Sequence, residues 1–427
     1  MTQELLKTTV SGFQTLGVAP KLLEALTRLK LITPTPIQHQ SIPVAMEGKD
    51  IVGIAQTGTG KTLAFGLPMI QRLGIYHGQG LVLVPTRELA LQVEETLQKV
   101  GRNIGFKSAV IIGGASMNQQ IQAIRRQPHV IVATPGRLVD HLEQGTIKLN
   151  QIKIVVLDEA DRMFDIGFAP QINRILKLIP KEGRQTMLFS ATMPPEVVKM
   201  AGAHLSLPLR IEVAPSGTAA AKVEQEIFMV SKELKLQLLE KLLNDYKGTV
   251  LVFSRTKHGA KKIAVVVRHM GHPAAEIHSN RSLAQRREAL NGFKTGKYRI
   301  LVATDIAARG IDVTGIELVV NYDLPDNSED YVHRIGRTGR AGYAGRAVSF
   351  ATPDQRGDIK SIERLIRKTL PVKALPVLPP RRLPPPSPMG NREQSPFHSP
   401  GPRRGGQGQG HGGRGRFDRS RRGPKRF

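Results

Sequence analysis

Residues Ile51 to Thr62 read IVGIAQTGTGKT, and this stretch decides the fold. Four apolar residues typical of a buried strand precede a loop rich in glycine and threonine, and helix-like sequence follows the loop. Glycines let backbone N–H groups curl around phosphate oxygens, and the start of a helix adds positive potential. The order strand, loop, helix therefore predicts a phosphate-binding loop. The alternative is a glycine-rich turn that binds no nucleotide.

The residue types of this loop suit a nucleoside triphosphate. Lys61 is expected to reach the β- and γ-phosphates, and the hydroxyl of Thr62 is expected to bind Mg²⁺. Ala55 stands where the pattern usually has its first glycine. The predicted nucleotide contacts are Ala55, Gln56, Thr57, Gly58, Thr59, Gly60, Lys61 and Thr62.

Short aliphatic runs alternate with helix-like stretches along most of the chain. They begin at Ile51, Leu81, Ala109, Val130, Ile154 and Thr186, and again at Val250, Arg299, Glu317 and Arg346. Strands buried on both faces read as continuous apolar runs, and helical crossovers between them are typical of parallel sheets. The predicted fold class is therefore α/β, with two domains.

Composition shifts mark the expected domain boundaries. APSGTAAAK, from Ala214, lacks periodicity and predicts a linker that allows the domains to move. We place the first domain at residues 1–213, the linker at 214–224 and the second domain at 225–370. Residues 371–427 are first Pro-rich and then Arg- and Gly-rich, so they cannot bury enough apolar surface to fold. We expect a disordered basic tail there.

The charge of the chain indicates a polyanionic partner. The 427 residues carry a formal net charge of +27. The tail contributes 13 basic against two acidic residues, so the rest of the chain retains a net +16. Such an excess favours nucleic acid through counterion release. The tail is expected to tether RNA, and a solubilising linker is the alternative.

Two absences narrow the class of protein. The chain contains no cysteine, which excludes disulfides, Cys-ligated zinc and thiol catalysis. The first residues lack a signal-like apolar run, and no window approaches 18 uninterrupted apolar residues. We therefore expect a soluble, cytoplasmic protein that does not bind membranes.

Asp158 to Asp161 read DEAD and follow the strand-like KIVVL. Open parallel sheets place ligand-binding groups at the carboxyl ends of their strands. Asp158 is expected to hold Mg²⁺, and Glu159 to orient or deprotonate the attacking water. The alternative is an acidic helix start stabilised by the helix dipole.

Together, the loop and the tetrad resemble the DEAD-box family of superfamily 2 RNA helicases, and the resemblance extends from Phe13 to about Ala351. It implies two RecA-like domains and the use of ATP. LITPTPIQ is similar to the Q motif of the family, so Gln38 is expected to read adenine and Phe13 to lie against the base. Lys30 stands where the family usually has glycine, and Leu31 where it often has an aromatic ring. Taken without the family, Phe13 reads as a core residue.

Further segments of the first domain resemble family motifs. The resemblance implies RNA-backbone contacts from Pro85, Thr86 and Arg87, from Gly113 and Gly114, and from Thr134, Pro135, Gly136 and Arg137. The SAT segment, with Ser190 and Thr192, is expected to couple the ATP site to strand separation together with Asp161. Taken singly, TPGR and PTRE are also typical of turns or helix caps.

The second domain carries the remaining motifs, which are VFSRT, ATDIAARGID and HRIGRTGRAG. By resemblance, Ser254, Arg255, Thr304 and Asp305 are expected near RNA, and Asp312 on the ATP ribose. His333 is expected to couple the two sites, and Arg337 and Arg340 to approach the γ-phosphate as arginine fingers. In isolation the Arg/Gly run also fits a solvated surface.

One segment of the second domain departs from the family pattern. Ser279 and Leu283 replace the common glycine and glutamine, although Arg286 remains for the RNA side. A contact with RNA is expected to be lost there.

The resulting hypothesis is a monomeric ATP-dependent RNA helicase. ATP and RNA would each favour closure of the two lobes and so strengthen the binding of the other. A DNA-directed superfamily 2 helicase and an ATP-gated RNA clamp are the alternatives. The tail is similar to those of bacterial RhlE-like members.

Overall fold

The computed structural model describes residues 12–56, 58–213, 223–308, 313, 315–339 and 345–380. These residues form two α/β lobes, and each lobe is built on a seven-stranded parallel sheet. The strands of the first sheet are β1 (Ile51–Ile54), β2 (Gln79–Leu83), β3 (Ser108–Ile111), β4 (Val130–Ala133), β5 (Ile152–Asp158), β6 (Gln185–Ser190) and β7 (Leu209–Glu212). Those of the second sheet are β8 (Val223–Met229), β9 (Val250–Phe253), β10 (Ala274–Ile277), β11 (Ile300–Ala303), β12 (Leu318–Asn321), β13 (Gly345–Ala351) and β14 (Val372–Lys373).

Helices connect the strands and cover both faces of each sheet. In the first lobe they are α1 (Pro20–Arg28), α2 (Pro36–Met46), α3 (Lys61–Tyr76), α4 (Arg87–Gly101), α5 (Met117–Arg125), α6 (Pro135–Glu143), α7 (Ala160–Asp165), α8 (Ala169–Lys177) and α9 (Pro195–His204). In the second lobe they are α10 (Lys235–Asp245), α11 (Lys257–His269), α12 (Leu283–Lys294), α13 (Asp305–Ala308), α14 (Ser328–Ile335) and α15 (Arg356–Ile366). Short 3₁₀ turns lie at Phe13–Leu16, Arg102–Ile104 and Pro353–Gln355. Among the described residues, no helix is both long and apolar enough to cross a membrane.

The two lobes repeat one topology. The strand order of the first sheet is β3-β4-β2-β5-β6-β1-β7, and that of the second is β10-β11-β9-β12-β13-β8-β14. Each strand of the second sheet therefore occupies the place of the strand seven positions earlier. All strands are parallel, so the loops that follow the strands lie together at one edge of each sheet, the carboxyl edge, where such sheets bind ligands.

The predicted fold class is confirmed, because all ten apolar runs are strands. Central strands such as β4, with sequence VIVA, are buried at every position, because helices cover both faces of the sheet. An apolar layer lies on each face of the first sheet, and the α1–α4 side includes Leu22, Leu67 and Leu97.

The described sheets contain four strands that the apolar pattern did not predict, β7, β8, β10 and β14. Strand β8 reads VEQEIFM, and two of its polar side chains are buried with specific partners. Gln225 accepts a hydrogen bond from the Tyr331 hydroxyl at 3.1 Å, and Glu226 accepts one from Arg346 at 3.0 Å. In β10, Glu276 is held by Arg268 at 3.2 Å. These partners lie far along the chain or in the preceding helix, so the apolar pattern of the strand does not reveal them.

Two of the predicted boundaries need correction. The linker was placed at 214–224, but β8 already begins at Val223; residues 214–222 lie outside the described part. The tail was placed from 371, but residues 371–380 pack on the second lobe. Val372 and Lys373 pair with β8, Leu378 packs against the core of the lobe, and Gln237 donates to the Pro379 carbonyl at 2.7 Å. Residues 381–427, where the rest of the tail was predicted, lie outside the described residues.

Candidate functional site

The phosphate-binding loop connects β1 to α3 at the carboxyl edge of the first sheet. Gly58 and Gly60 have φ angles of 84° and 88°, a region that favours glycine. A Cβ on Gly60 would lie 2.3 Å from Gln38 Nε2. Lys61 is the first residue of α3 and is 5% exposed. Its Nζ donates to the Ala55 carbonyl at 2.9 Å, across the mouth of the loop.

Gln38 supports the loop from α2. Its Oε1 accepts a hydrogen bond from Thr35 N at 2.8 Å, in a capping box, and its Nε2 donates to the Gly60 carbonyl at 3.0 Å. Gln38 was predicted to read adenine, and its motif gave no indication of these contacts. Phe13, assigned beside the base, is 3% exposed within the core of the first lobe, so the structure favours the alternative of a core residue.

The DEAD segment begins at the last residue of β5, beside the loop. Asp158 is 2% exposed, and burial raises its pKa to about 6, while Lys61 lowers it and Glu159 raises it further. Glu159 has a φ of 53°, a left-handed conformation that costs a non-glycine residue about 1–3 kcal/mol. Such strain is typical of sites where function fixes the backbone. Two buried carboxylates therefore lie beside a buried lysine.

Asp161 joins the tetrad to the SAT segment. Its Oδ2 accepts hydrogen bonds from Thr192 N and Thr192 Oγ1, both at 2.9 Å, and from Ala191 N at 3.2 Å. Its own N–H donates to Ser190 Oγ at 3.1 Å. A change in the position of the DEAD segment must therefore move the turn after β6.

The predicted RNA segments of the first lobe meet at the same edge, after β2, β3 and β4. The Arg87 guanidinium lies against Gly114, where a Cβ would approach its Nη1 to 2.3 Å. Arg137 donates to the Ala115 carbonyl at 3.0 Å. Thr86 and Thr134 are the N-caps of α4 and α6, and Pro135 and Gly136 open α6. The structure thus brings together the three segments from Pro85, Gly113 and Thr134.

Arg334 organises the second lobe, although no role was predicted for it from the sequence. It is 2% exposed and makes a two-point ion pair with Asp305, at 2.5 and 2.7 Å. It also donates to Asn321 Oδ1 at 3.2 Å and to the Asp323 carbonyl at 2.5 Å. The Asp305 carboxylate, assigned to RNA, is therefore occupied by Arg334. Nothing in the sequence of the HRIGRTGRAG motif distinguishes Arg334, which pairs inside the lobe, from the neighbouring arginines.

Asp323 extends this network to the turn after β9. Its Oδ2 accepts from Ser254 Oγ at 3.3 Å and from Arg255 N at 3.1 Å, and its Oδ1 pairs with Lys235 at 3.1 Å. Thr304 directly follows β11 at the same edge, and its N–H donates to the Ile277 carbonyl at 3.3 Å. Ser254 and Arg255 are thus held by the Asp323 carboxylate, and Thr304 is held by a backbone hydrogen bond.

Within the part of the chain that the structure describes, two ion pairs connect the lobes, and the sequence did not predict either of them. Arg162, which directly follows the DEAD tetrad, pairs with Asp330 of α14. Glu88 at the start of α4 pairs with Arg286 of α12 at 2.8 Å, and both side chains are at most 10% exposed. Arg286 was expected on the RNA side; its guanidinium instead contacts the first lobe.

The predicted coupling and arginine-finger residues are only partly described. His333 and Arg337 line a narrow space that Arg162 and Asp330 also border, so they face the first lobe. Arg337 is 4% exposed. Thr57, Asp312 and Arg340 lie outside the described residues.

Two lobes of one topology, with a phosphate-binding loop and an acidic tetrad at the carboxyl edge of the first, define a two-lobed P-loop ATPase of the helicase type. A family model described as DEAD/DEAH box helicase matches residues 35–201, and one described as helicase conserved C-terminal domain matches residues 234–342. The chain belongs to the DEAD-box RNA helicase family.

Similar proteins come from yeasts and bacteria. The ATP-dependent rRNA helicase RRP3 of Debaryomyces hansenii is 43% identical over 366 residues, which cover 84% of this chain and 76% of that protein. The DEAD-box ATP-dependent RNA helicase CshA of Geobacillus kaustophilus is 42% identical, with 84% and 78% covered. S. cerevisiae Dbp5 bound to RNA and ADP BeF3 is similar in structure, with a TM-score of 0.77, 31% identity, and coverage of 85% of this chain and 95% of that one. These relatives give no support to the RhlE-like subtype.

Proposed function

We propose that this chain hydrolyses ATP to unwind or remodel RNA locally, as the two lobes close on both ligands. One observation carries the proposal: the Arg162–Asp330 pair ties the residue after the DEAD tetrad to the helix that bears His333 and Arg334. The ATP-side chemistry of one lobe is thereby joined to the arginine motif of the other. The Dbp5 structure that is similar to this chain is bound to RNA and ADP BeF3, which supports the same arrangement.

The first lobe would hold the triphosphate. Loop N–H groups and Lys61 bind the β- and γ-phosphates, which requires Lys61 to exchange the Ala55 carbonyl for phosphate oxygen. Glu159 orients the attacking water and accepts its proton. Gln38 holds Gly60 and keeps one amide hydrogen for the adenine edge.

Mg²⁺ is the metal that this donor set fits. Mg²⁺ is usually held by one or two carboxylates and by substrate phosphates, not by a cage of protein ligands. The described residues contain no cluster of three or more His, Cys, Asp or Glu suited to a metal, in keeping with that mode. Thr62 and Asp158 would hold the ion, which would neutralise charge on the phosphates. The raised pKa of Asp158 does not prevent it from binding Mg²⁺, because a bound cation favours the ionised carboxylate.

RNA would lie along the carboxyl edges of both lobes. In the first lobe, Arg87, Arg137 and the N–H groups near Gly114 suit phosphate contacts, which give affinity without reading sequence. In the second lobe, Ser254 and Arg255 present the turn that Asp323 holds. Closure of the lobes would bend an RNA strand that is bound to both of them. The complementary strand would then dissociate locally.

Closure would also complete the ATP site. Arg337 and Arg340 would stabilise charge on the γ-phosphate, a role that suits a planar and permanently charged fork. Asp161 and the SAT turn would transmit the presence of that phosphate to the rest of the first lobe. After hydrolysis these contacts weaken, and the lobes reopen.

We further propose that the first domain spans residues 1–213, that the second spans 223–380 instead of the 225–370 predicted from the sequence, and that the tail begins at 381 rather than 371. Asp312 would bind the ATP ribose. The protein would be monomeric and cytoplasmic, and the composition of its tail favours an RhlE-like subtype.

Strand displacement tests the proposal. Purified protein with ATP should separate a short RNA duplex, and Lys61→Ala should neither separate it nor hydrolyse ATP. ATP-dependent RNA binding without displacement would identify a clamp. Equal turnover on matched DNA would identify a DNA-directed helicase.

A further inference from the structure

The amino edge of the first sheet carries an apolar groove that the ATP and RNA segments do not use. It has a volume of about 750 Å³ and lies between the ends of α6 and α8 and the loop that leads into β5. Leu142, Ile147 and Leu149 contribute aliphatic side chains to its lining, as does Leu178. Leu178 is 52% exposed, so a large apolar side chain faces water.

The charged side chains that line this groove, among the residues that the structure describes, are all cationic. They are Lys148, Arg174 and Lys177. Arg174 pairs at 2.5 Å with Glu143, which lies outside the lining. Lys148 and Lys177 make no ion pair with any residue that the structure describes. An apolar floor with a positive rim is complementary to an apolar stripe with negative flanks.

The groove is remote from the ligand edge. Strand β5 begins at Ile152 beside the groove and ends at Asp158, so a seven-residue strand separates the two, a length of about 20 Å. An occupant would therefore leave the ATP and RNA segments accessible. It would contact α8, the helix that follows the DEAD helix α7.

The lining disfavours RNA and the basic tail as occupants. Single-stranded nucleic acid uses aromatic side chains for stacking, and no aromatic residue lines the groove. Residues 381–427 carry 12 Lys and Arg against two acidic residues, so the rim would repel them. An acidic segment of another protein has the required charge.

We propose that this groove binds an acidic amphipathic helix of a partner protein. Aliphatic side chains at i, i+3, i+4 and i+7 of such a helix would enter beside Leu142 and Leu178. Glu or Asp side chains on its flanks would face Lys148 and Lys177, and would compete with Glu143 for Arg174. The partner would recruit the helicase without covering its catalytic edge.

A library of random 16-residue peptides displayed on phage tests this proposal directly. The full chain is used as bait, with the double variant Lys177→Glu/Leu178→Asp for counter-selection. Both substituted side chains are exposed, so the fold should persist, and RNA-stimulated ATPase activity should equal that of the wild type. Enriched peptides should combine Glu or Asp with aliphatic residues at helical spacing.

Fluorescence anisotropy of one enriched peptide supplies the quantitative outcome. Its affinity should fall at least tenfold for the double variant and remain unchanged for Lys21→Glu, an exposed control on α1 at the other face of the sheet. Lys61→Ala should bind the peptide like the wild type, because the groove does not depend on hydrolysis; this separates the inference from the proposed function. Absence of enrichment, equal affinity for all variants, or an equal loss of RNA affinity in the double variant would overturn the proposal.

Discussion

Lys30 adopts a backbone conformation that few lysines adopt, with a φ of 57° at the end of α1. The next N–H, of Leu31, donates to the Leu26 carbonyl at 2.9 Å, which closes the helix in the manner of a C-terminal glycine motif. The family usually has glycine at the position of Lys30. The positive φ angle explains this preference, because glycine adopts it without strain. The side chain is exposed, so the departure affects local strain rather than packing.

Replacement of Lys30 by glycine should therefore stabilise the first lobe. Relief of the left-handed strain is worth about 1 kcal/mol, less some entropy gained by the unfolded chain. The net gain is therefore below 1 kcal/mol, and the melting temperature should rise by about 1–2 °C for a lobe of this size. Lys30→Ala provides the control and should leave the melting temperature nearly unchanged. A lower melting temperature for the glycine variant would refute the strain argument.

Glu159 is the residue on which turnover should depend most specifically. Glu159→Gln keeps the size of the side chain but removes the base, so kcat should fall by about 10²-fold or more. ATP affinity, measured with a labelled nucleotide, should change little, because the triphosphate is bound by the loop and Lys61. A variant that keeps normal kcat would assign the base to another group.

Local sequence is enough to place Lys61 and Asp158 at the carboxyl edge of the first sheet, because the loop and the ends of parallel strands collect such residues there. The surroundings of Phe13 and Asp305 do not follow from local sequence, since their burial and pairing depend on partners distant in sequence. The roles of these residues, and the coupling role that the resemblance implies for Asp161, stay predictions.

Helices α4 and α12 contact each other across the lobes through a buried ion pair. Glu88 and Arg286 are separated by 198 positions and pair in a nearly water-free place. A buried pair that loses one partner leaves an uncompensated charge, a large cost. If one partner is removed, the other charge is buried and unpaired while the lobes are together, and it returns to water when they separate. Loss of one partner therefore favours the open state.

Glu88→Gln should therefore weaken the coupling between ATP and RNA. The RNA concentration for half-maximal ATPase activity should rise about tenfold, which corresponds to about 1.4 kcal/mol of coupling. Glu95→Gln on the same helix is the matched control, because its pair with Lys99 is exposed and contributes little. An equal response of the two variants would show that the pair does not hold the lobes together.

Elements with uniform apolar sequence were predictable, and elements with buried charge were not. All ten apolar runs became strands, whereas β8 and β10 were missed because Glu226 and Glu276 are neutralised by arginines elsewhere in the fold. The resemblance implied two RecA-like domains, but the strand order that they share emerged only from strand pairing, since the two lobes share no loop or tetrad sequence. Inter-lobe pairs such as Arg162–Asp330 leave no periodic signal at all.

At the scale of the whole molecule, the revised tail boundary has a measurable consequence. A chain that ends at Pro380 should have the melting temperature of the full-length protein, because it keeps every residue that the structure describes in the second lobe. A chain that ends at Leu370 should melt several degrees lower, since it loses β14 and the packing of Leu378. Equal melting temperatures for the two truncations would contradict the docking of residues 371–380.

The same Pro380 truncation separates the tail from the catalytic lobes. RNA affinity should fall mainly at low salt, because the lost contacts are electrostatic, and the salt slope of binding should become shallower. ATPase activity without RNA should be unchanged. Identical RNA affinity with and without the tail at every salt concentration would leave a solubilising linker as its role.

RNA bound across both lobes should drive ATP hydrolysis. This mechanism is tested by the steady-state ATPase activity of the full chain, measured with a single-stranded RNA and with a DNA of the same sequence. We expect strong stimulation by RNA, little stimulation by DNA, and no activity for Lys61→Ala under either condition. Turnover that is indifferent to RNA would contradict the mechanism.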